Sequence, residues 1–339
     1  MKPKLSICIP TYNRANCLRE TIESIITQAT EEVEIVISDN ASSDNTEEVV
    51  EQYRRIYPTI SYYRHPENVG ADRNYLKVVE LATGEYCWLF GSDDIMKEHA
   101  ITKMLSEIKS GADVYLCGLT LCTLDMTPIE THRVLKINLD KVFNLGNEEE
   151  RRSYFELAET TTAFFSFLGS LIVRKQQWDA VTIDEGLFIG SLWSHVAKIF
   201  GMLPKGLVLK YLHEPLLNKR GDNDSFVDKG VVNRYKVQID GYHQMGNYFF
   251  GPNSFESFHI RRVVRNELPL YNIMQLKQQC MKDGNREGIA QLSKLVSTHF
   301  SNSTFKYKVC KLIYDLAIFQ WMIDSYLYLY TKIKNRSRY

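Results

Sequence analysis

The sequence has no excess of charge of either sign: among its 339 residues, 41 are Lys or Arg and 41 are Asp or Glu, so the formal net charge is zero. Proteins that neutralise nucleic-acid phosphates are usually basic, and we therefore expect no nucleic-acid partner. Long apolar runs are missing too. Residues 312–330 come nearest, but two acids and a glutamine interrupt them, and each acid would cost roughly 2.5–3.5 kcal/mol in a bilayer. A membrane-spanning helix is not expected.

Cysteine pairs and glycine motifs are also lacking. The seven cysteines lie far apart with no CxxC, which argues against a zinc site or a disulfide framework and is typical of a reducing cytoplasm. The first residues, MKPKLSICIPTYNR, hold too short an apolar run for a signal peptide. Neither GxGxxG after the first predicted strand nor GxxxxGK[ST] anywhere is present, so an ordinary dinucleotide site and a P-loop are not predicted.

The first hundred residues alternate two patterns. Short β-branched or aromatic runs predict strands, and between them apolar residues recur every three or four positions, as in helices. The predicted strands are Leu5–Ile9, Val33–Ser38, Ile60–Arg64 and Glu85–Phe90. Strand–helix–strand repetition predicts an α/β fold with a doubly wound, mostly parallel sheet.

Beyond residue 110 the pattern is less regular. Residues 113–122 could form another strand, residues 128–155 resemble a polar excursion, and residues 208–226 pass from a strand into a polar loop. From about residue 231 onward the pattern is mostly helical. We therefore predict one domain over residues 1–228, regular in 1–110 and less regular in 111–228, followed by a helical region over 229–339.

Polar residues follow each predicted strand: PTYNR, SDNASSDNT, HPENVG and GSDD. Because parallel strands carry their ligands at their carboxyl ends, all four stretches should surround one crevice. Residues 42–45 are better explained as a turn and helix cap, whereas Asp39 precedes the cap, and its position leaves a ligand role and a structural role equally open.

Asp93 and Asp94 are adjacent carboxylates at the fourth strand end. Such a pair most simply binds a divalent cation, Mg²⁺ or Mn²⁺, whose other ligands come from substrate phosphates. A nucleoside diphosphate compound therefore fits the crevice. The alternative is that one acid caps the next helix, predicted to contain IMKEHAITKML.

Four motifs together, SICIPTYNR, EIVISDNASSDNT, ENVGADRNY and GEYCWLFGSDD, resemble in order and spacing the family-2 glycosyltransferases with the GT-A fold. The resemblance covers Leu5–Met104 and continues more weakly to Asp224. It implies a GT-A fold with a C-terminal helical extension, a nucleotide-sugar donor, and a divalent metal, Mn²⁺ or Mg²⁺. Residues 1–228 would then form the catalytic domain, with donor binding in 1–110 and acceptor recognition in 111–228.

The same resemblance assigns site residues. Asp39 would read the base, Asp94 would contact the metal, and Asp93 would face the ribose, the sugar or the metal. Ser92 stands where many family members have an acid, which removes one ligand. The other implied donor-binding residues are Pro10, Thr11 and Tyr12 at the nucleobase, Arg73 near the phosphates, and Arg14 and Asn68 in the neighbouring motifs.

The segments YCWLFGSDD and SDNASSDNTEE most resemble the corresponding sequences of O-antigen abequosyltransferases. This narrower resemblance implies a CDP-linked donor, CDP-abequose or a related deoxysugar, and a lipid-linked oligosaccharide acceptor in O-antigen or surface polysaccharide synthesis. It also implies a cytoplasmic enzyme that is peripheral at the inner face of the cell membrane.

A general base is needed if the transfer inverts the sugar configuration. The acidic ED pair of many family members is absent from LWSHVAKI, so His195 is a candidate base, with Asp184 and Glu185 as rivals. A structural role for His195 is equally open, and an abequosyl linkage would imply retention, so the stereochemistry stays open.

Three more residues are candidates after the strand LVLKYL. His213 is a candidate third metal ligand, although a lone histidine is more often structural. Lys219 and Arg220 could close over the diphosphate or form a solvated basic turn.

The aromatic C-terminal segment ending in KIKNRSRY suits an anionic membrane surface. The alternatives are that it forms a homo-oligomer interface or packs onto the catalytic domain.

Two other functions compete with a glycosyltransferase. One is a non-catalytic nucleotide-sugar-binding protein in which the missing ED pair reflects lost chemistry. The other is a sugar nucleotidyltransferase, although IPTYNR lacks the glycine- and arginine-rich loop expected of that class.

Overall fold

A mixed sheet organises the first part of the chain. The computed structural model describes residues 2–223 and 230–300, together with Leu312 and Tyr314. Ten strands among these residues form one sheet: β1 Leu5–Thr11, β2 Val33–Asp39, β3 Ile60–Arg64, β4 Tyr86–Leu89, β5 Ile95–Met96, β6 Val114–Cys122, β7 Pro128–His132, β8 Lys141–Asn144, β9 Leu171–Arg174 and β10 Val208–Lys219. The four strands predicted first are confirmed.

The strand order is β3-β2-β1-β4-β9-β6-β10-β5, with β7 beside β6 and β8 beside β10. Strands β3, β2, β1 and β4 are mutually parallel, and so are β6 and β10. Strand β9 runs antiparallel between β4 and β6. The parallel half therefore brings the carboxyl ends of β1 to β4 to one edge, as the sequence predicts.

Twelve α-helices lie among the described residues: α1 Ala15–Ile26, α2 Thr46–Arg54, α3 Ala71–Leu81, α4 Ala100–Glu107, α5 Glu148–Leu157, α6 Lys175–Asp179, α7 Glu185–Phe188, α8 Ser194–Phe200, α9 Val231–Phe250, α10 Phe255–Glu267, α11 Leu270–Lys282 and α12 Arg286–Phe300. Helix α1 turns Leu18, Ile22 and Ile25 onto the sheet, where all three are fully buried. This apolar stripe at helical spacing explains why the segment folds as it does.

Two sequence predictions are wrong in detail. The helix predicted from residue 95 begins only at Ala100, because Ile95 and Met96 pair with Asn218 and Leu217 of β10. The stretch predicted as a polar excursion contains β7, β8 and α5, and these two strands extend the sheet beside β6 and β10.

The chain divides into two compact units, Met1–Asp224 with Met245–His259, and Ser225–Gln244 with Ile260–Tyr339. The mostly helical pattern predicted from residue 231 is confirmed over α9 to α12, while the predicted domain boundary at residue 228 stays a prediction. Within the described parts of the chain, no helix is long and apolar enough to cross a membrane. The segment predicted to contact a membrane, apart from Leu312 and Tyr314, lies outside those residues.

Candidate active site

The polar stretches after β1, β2 and β3 bind one another directly. The backbone N–H of Asn13 donates to Ser42 Oγ at 2.8 Å, and Asn13 Oδ1 accepts the N–H of Ser43 at 2.7 Å. Asn40 donates from its side chain to Asn68 Oδ1 at 2.9 Å and accepts the N–H of Val69 at 2.9 Å. Three of the four predicted stretches therefore lie together, and the crevice that they would surround stays a prediction.

Asp39 is completely buried beneath this network. Its Oδ1 accepts hydrogen bonds from the N–H and the hydroxyl of Ser42, at 2.9 and 2.5 Å, and its Oδ2 accepts one from the Tyr62 hydroxyl at 2.7 Å. Burial raises the pKa of Tyr62, and the bond to Asp39 adds to that effect. In this structure Asp39 therefore organises the turn after β2 and presents no free oxygen to the crevice.

Asp93 and Asp94 stand apart from any helix cap. Helix α4 begins six residues after Asp94, and His99 occupies its N-cap position. The acid loop instead folds back on itself, since the N–H of Asp94 lies 3.5 Å from the carbonyl oxygen of Gly91. The alternative explanation of the acids as a cap for the next helix is wrong.

Asp94 is the buried member of the pair. Burial raises the pKa of its carboxyl to about 8, and the negative charge of Asp93 acts in the same direction. Its Oδ1 accepts the backbone N–H of Arg220 at 3.1 Å. At neutral pH the protonated form of this carboxyl is therefore favoured, and a bound cation would take the place of the proton.

One oxygen of each acid points at the same small space beside Gly91. A methyl group built on Gly91 would overlap Oδ2 of Asp94 and would lie 3.2 Å from Oδ1 of Asp93. Neither oxygen has a hydrogen-bond partner among residues 2–223 and 230–300. Glycine is therefore required for the two carboxylates to converge.

The pair fits a magnesium or manganese ion, because hard cations of this kind are commonly bound by one or two carboxylates, with phosphates and water supplying the remaining oxygens. Asp93 and Asp94 are the residues that would hold it. No group of three or more His, Cys, Asp or Glu side chains suited to a metal occurs in the described portion of the chain. Such a cation would therefore depend on the substrate for the rest of its ligands.

Arg14 occupies the remaining oxygen of Asp93. Its guanidinium pairs with Asp93 Oδ2 and also donates to the carbonyl oxygen of Asn223 at 2.7 Å. The Asn223 amide donates to the same Oδ2 at 2.9 Å. Arg14, predicted as a donor-binding residue, is therefore brought to the acid pair and balances part of its charge.

Arg220 has a different position from the one predicted. Its side chain is buried and donates to the carbonyl oxygens of Asp93 at 2.8 Å and Leu124 at 2.7 Å, and it pairs with Glu20 at 2.5 Å. It thus anchors the acid loop and does not form a free cation over the diphosphate. Lys219 stays half-buried, with its Nζ 5.2 Å from the centre of the Phe167 ring.

The predicted nucleobase residues lie at the end of β1. Pro10 and Thr11 are buried, and the side chain of Tyr12 is 45% exposed. The Thr11 hydroxyl is buried without a hydrogen-bond partner, which is costly unless a ligand or water satisfies it. The neighbouring Asn74 amide donates to the Thr11 carbonyl at 3.3 Å and links β1 to the first turn of α3.

Arg73 lies in that same first turn, and its side chain is 51% exposed. Its Nη1 is 3.4 Å from Oε2 of Glu185, whose side chain is 66% exposed. The structure therefore brings a predicted phosphate ligand and a predicted base together. Asp184 caps α7 by accepting the N–H of Leu187 at 3.2 Å.

His195 is not placed to act as a base. It is buried, its Nε2–H donates to the carbonyl oxygen of Phe165 at 3.0 Å, and its Nδ1 has no partner. Burial lowers its pKa to about 4, although the charge of Asp72 opposes the shift. The structural role for His195 that the sequence left open is the one observed.

His213 is not near the acids. It lies in β10 seven residues before Arg220, whose N–H binds Asp94, and at about 3.3 Å per strand residue the separation is on the order of 20 Å. Its Nδ1 lies 3.4 Å from the Tyr211 hydroxyl. The prediction that His213 is a third ligand of the same metal is not supported by this geometry.

Sequence reasoning missed several residues that shape the site. Gly91, Thr21 and Asn223 contact the acid loop, and Asp72 binds the segment before α8. Of these residues, only Gly91 had a signal in the sequence, because it is the glycine of the GSDD motif. In the sequence, Asp72 resembles an ordinary acid in the first turn of a helix. No neighbouring residue indicates that it binds the backbone of residues 190–194.

Comparison with known proteins shows the family to which the chain is related. The family model described as "Glycosyl transferase family 2" matches residues 6–170. The chain is 36% identical over 289 residues to the abequosyltransferase RfbV of Salmonella typhimurium, and the alignment covers 84% of this chain and 86% of that protein.

Two solved structures are similar in fold. The S. aureus TarS 1–349 structure in complex with UDP-GlcNAc has a TM-score of 0.60 at 14% identity, covering 94% of this chain and 93% of that one. The mannosyltransferase PcManGT from Pyrobaculum calidifontis, in complex with GDP-Man and Mn²⁺, has a TM-score of 0.53 at 12% identity, covering 96% and 84%. The predicted GT-A fold is confirmed.

Proposed function

The chain belongs to glycosyl transferase family 2, and from that premise we propose that it transfers a deoxysugar from a CDP-linked donor to a lipid-linked oligosaccharide with the help of a divalent cation. Its relationship to abequosyltransferases makes it a glycosyltransferase of O-antigen or surface polysaccharide synthesis. The donor, the acceptor and the metal are the parts that we propose.

The observation that carries the proposal is the convergence of Asp93 Oδ1 and Asp94 Oδ2 over Gly91 at the crevice. When bound there, a cation offsets the negative charge that develops on the diphosphate as the sugar leaves. The protein's part is to hold both carboxylates in place, through Arg14 on Asp93 and the N–H of Arg220 on Asp94. The Mn²⁺ of the mannosyltransferase PcManGT supports this assignment.

CDP is the favoured nucleotide because the relative that aligns over most of the chain is named an abequosyltransferase, and the resemblance implies a CDP-linked donor for such enzymes. At the base end of the crevice, the unpartnered Thr11 hydroxyl offers a hydrogen bond to a ligand. Tyr12 offers an exposed ring on which a base can stack. Arg73, half-exposed at the start of α3, is suited to a phosphate.

Among the three candidate bases, Glu185 is favoured. Its carboxylate is exposed and lies beside Arg73, whereas His195 is buried and Asp184 is used as a helix cap. In an inverting transfer Glu185 would accept the proton of the acceptor hydroxyl. In a retaining transfer the same carboxylate would bind and orient the acceptor.

A lipid-linked acceptor would place the enzyme at the inner face of the cell membrane. The support for this part is the resemblance to O-antigen transferases and the aromatic, basic character of residues 312–339 in the sequence. We propose the membrane contact on this support, and a homo-oligomer formed through the same segment is the alternative.

The test is calorimetric titration of the full chain with CDP, UDP, GDP and dTDP, each with and without MnCl₂. We expect CDP to bind best, and Mn²⁺ to increase its affinity at least tenfold. Asp94→Asn should lose that increase, because an amide matches the neutral carboxyl in shape and cannot replace its charge. Asp113→Asn is a matched control, since Asp113 also accepts a backbone N–H, from Val208 at 2.9 Å, but lies at the start of β6.

A preference for another nucleotide would contradict the CDP donor and keep the transferase. Binding of none of the four would contradict the whole proposal. Hydrolysis of CDP-abequose in the presence of Mn²⁺ then separates an enzyme from a pure nucleotide-sugar-binding protein, which should release no free sugar.

A further inference from the structure

Asp72 is a buried carboxylate that binds three backbone N–H groups of one segment. Its Oδ2 accepts the N–H of Gly190 and the N–H of Leu192, both at 2.8 Å, and its Oδ1 accepts the N–H of Ser194 at 3.0 Å. The side chain is only 2% exposed. These donors lie 118 to 122 residues away in the sequence, so the contact fixes the tertiary position of the segment.

The bound segment has a conformation that it would not adopt alone. Gly190 has φ +86° and Leu192 has φ +71°, and a left-handed conformation at a leucine costs free energy. The three hydrogen bonds to one charged acceptor offset this cost, because charge-assisted bonds of this kind are stronger than neutral ones. The carboxylate therefore stabilises this backbone conformation of residues 190–194.

The segment is tied to the crevice at a second point. Glu185, five residues before Gly190, lies 3.4 Å from Arg73, which follows Asp72 in the first turn of α3. The next residue, Asn74, donates to the carbonyl oxygen of Thr11 at the end of β1. Three consecutive residues of α3 thus contact, in turn, the 190–194 backbone, the candidate base and the nucleobase end of the crevice.

We propose that Asp72 is a positioning residue, which holds residues 185–194 against the first turn of α3 and so sets Glu185 at the reacting side of the crevice. This inference rests on the proposed function, since it treats residues 185–194 as the acceptor side. Asp72 itself is buried and touches no substrate. Its effect should therefore appear in transfer to the acceptor and not in binding of the nucleotide.

The variant that tests this is Asp72→Asn. Its amide oxygen can replace one carboxylate oxygen, but its NH₂ group would face at least one backbone N–H that needs an acceptor. We expect transfer from CDP-abequose to a synthetic polyprenyl-diphosphate oligosaccharide to fall at least tenfold relative to hydrolysis of the same donor. Mn²⁺-dependent CDP affinity should stay within twofold of the wild type. Asp113→Asn, at a half-buried carboxylate that accepts one backbone N–H elsewhere in the sheet, should leave the ratio of transfer to hydrolysis unchanged.

Hydrogen exchange of the unmodified protein provides a second measurement that needs no variant. The amides of Gly190, Leu192 and Ser194 should be strongly protected, and in Asp72→Asn their exchange should become at least tenfold faster. Exchange in the wild type as fast as in an unstructured peptide would overturn the inference, and so would an unchanged transfer ratio in the variant. Wild-type protein that neither binds CDP nor transfers sugar would instead overturn the proposed function.

Discussion

Gly91 shows how a single residue controls the acid pair. The space that a side chain would fill at this position is the space into which one oxygen of Asp93 and one of Asp94 point. A methyl group there would have to push the Asp94 carboxylate aside, and Asp94 is held in place by the N–H of Arg220. The geometry of the pair is therefore sensitive to any side chain at position 91.

We predict that Gly91→Ala reduces the Mn²⁺-dependent gain in CDP affinity at least tenfold, measured by calorimetry. Gly84→Ala is the control, because a Cβ at Gly84 would also be crowded, 2.5 Å from Ser6 Oγ, but at the start of β4, remote from the crevice. It should lower the melting temperature without changing the effect of Mn²⁺. Equal metal dependence in Gly91→Ala and the wild type would contradict the site.

At the same scale, the sequence predicted residues whose role follows from their own position. Adjacent carboxylates at a strand end are unusual, and in the structure one oxygen of Asp93 and one of Asp94 converge beside Gly91. Asp72 could not be found in this way, since its function depends on backbone donors more than a hundred residues away. The burial of Asp39 and His195 was equally hidden, because a side chain's exposure depends on elements that pack over it.

Helix α1 holds the acid loop along one of its faces. Thr21 donates from its hydroxyl to the carbonyl oxygen of Asp94 at 2.8 Å, Ser24 Oγ accepts the N–H of Met96 at 3.0 Å, and the amide of Gln28 donates to the carbonyl oxygen of Lys97 at 2.8 Å. Thr21 and Ser24 lie on neighbouring turns of α1, and Gln28 lies in the turn that follows the helix. They continue the support of the loop from Asp94 to the start of α4.

We predict that Thr21→Val lowers the free energy of unfolding by about 1–3 kcal/mol, because it leaves the buried carbonyl oxygen of Asp94 without this donor while preserving shape. The affinity for CDP with Mn²⁺ should fall along with it. Thr27→Val serves as the control, since the Thr27 hydroxyl is exposed and bonds only within its own helix. Chemical denaturation of both variants checks the first value, and an unchanged Thr21→Val would show that α1 does not support the loop.

At the element scale, helices and strands of the parallel half could be predicted because their hydrophobic periodicity is clear and each is flanked by polar turns. The error at residue 95 has a tertiary cause. Ile95 and Met96 carry no signal for a two-residue strand, and they form one only because β10 offers them a partner. Residues 128–155 were misread for a similar reason, since β7 is almost entirely exposed and lacks an alternating pattern.

For the whole molecule, the order β4-β9-β6-β10 could not be derived from the sequence. Strand β9 consists of three buried apolar residues and one arginine. A run of this kind predicts a buried strand but not which strands lie beside it. Its antiparallel insertion joins the two parallel sets into a single sheet. The position of β10 beside β5 then places Arg220 at the acid loop, although the two are 126 residues apart.

Several buried titratable groups make the stability of the protein dependent on pH. Burial is the leading cause in each case. It lowers the pKa of three histidines to about 4 and that of a fourth to about 3: these are His132, His195 and His243, and His299. Burial has the opposite effect on the Asp94 carboxyl and raises its pKa to about 8. The two kinds of shift act on stability with opposite signs.

The histidines take up protons in the unfolded chain from about pH 6.5 downward, but in the folded protein only near pH 4, so their contribution to stability is lost as the pH falls through this range. Asp94 loses its proton near pH 4 when unfolded and near pH 8 when folded, so its contribution is lost as the pH rises from 4 to 8. Between pH 4 and 6.5 this single group opposes the larger effect of the four histidines. Without divalent cation, we therefore expect the melting temperature to fall between pH 6.5 and 4 and again between pH 6.5 and 8. Asp94→Asn should remove the alkaline decrease and make the acid decrease somewhat steeper, and MnCl₂ should reverse the alkaline decrease of the wild type. A decrease of the same size in Asp94→Asn would assign it to other groups.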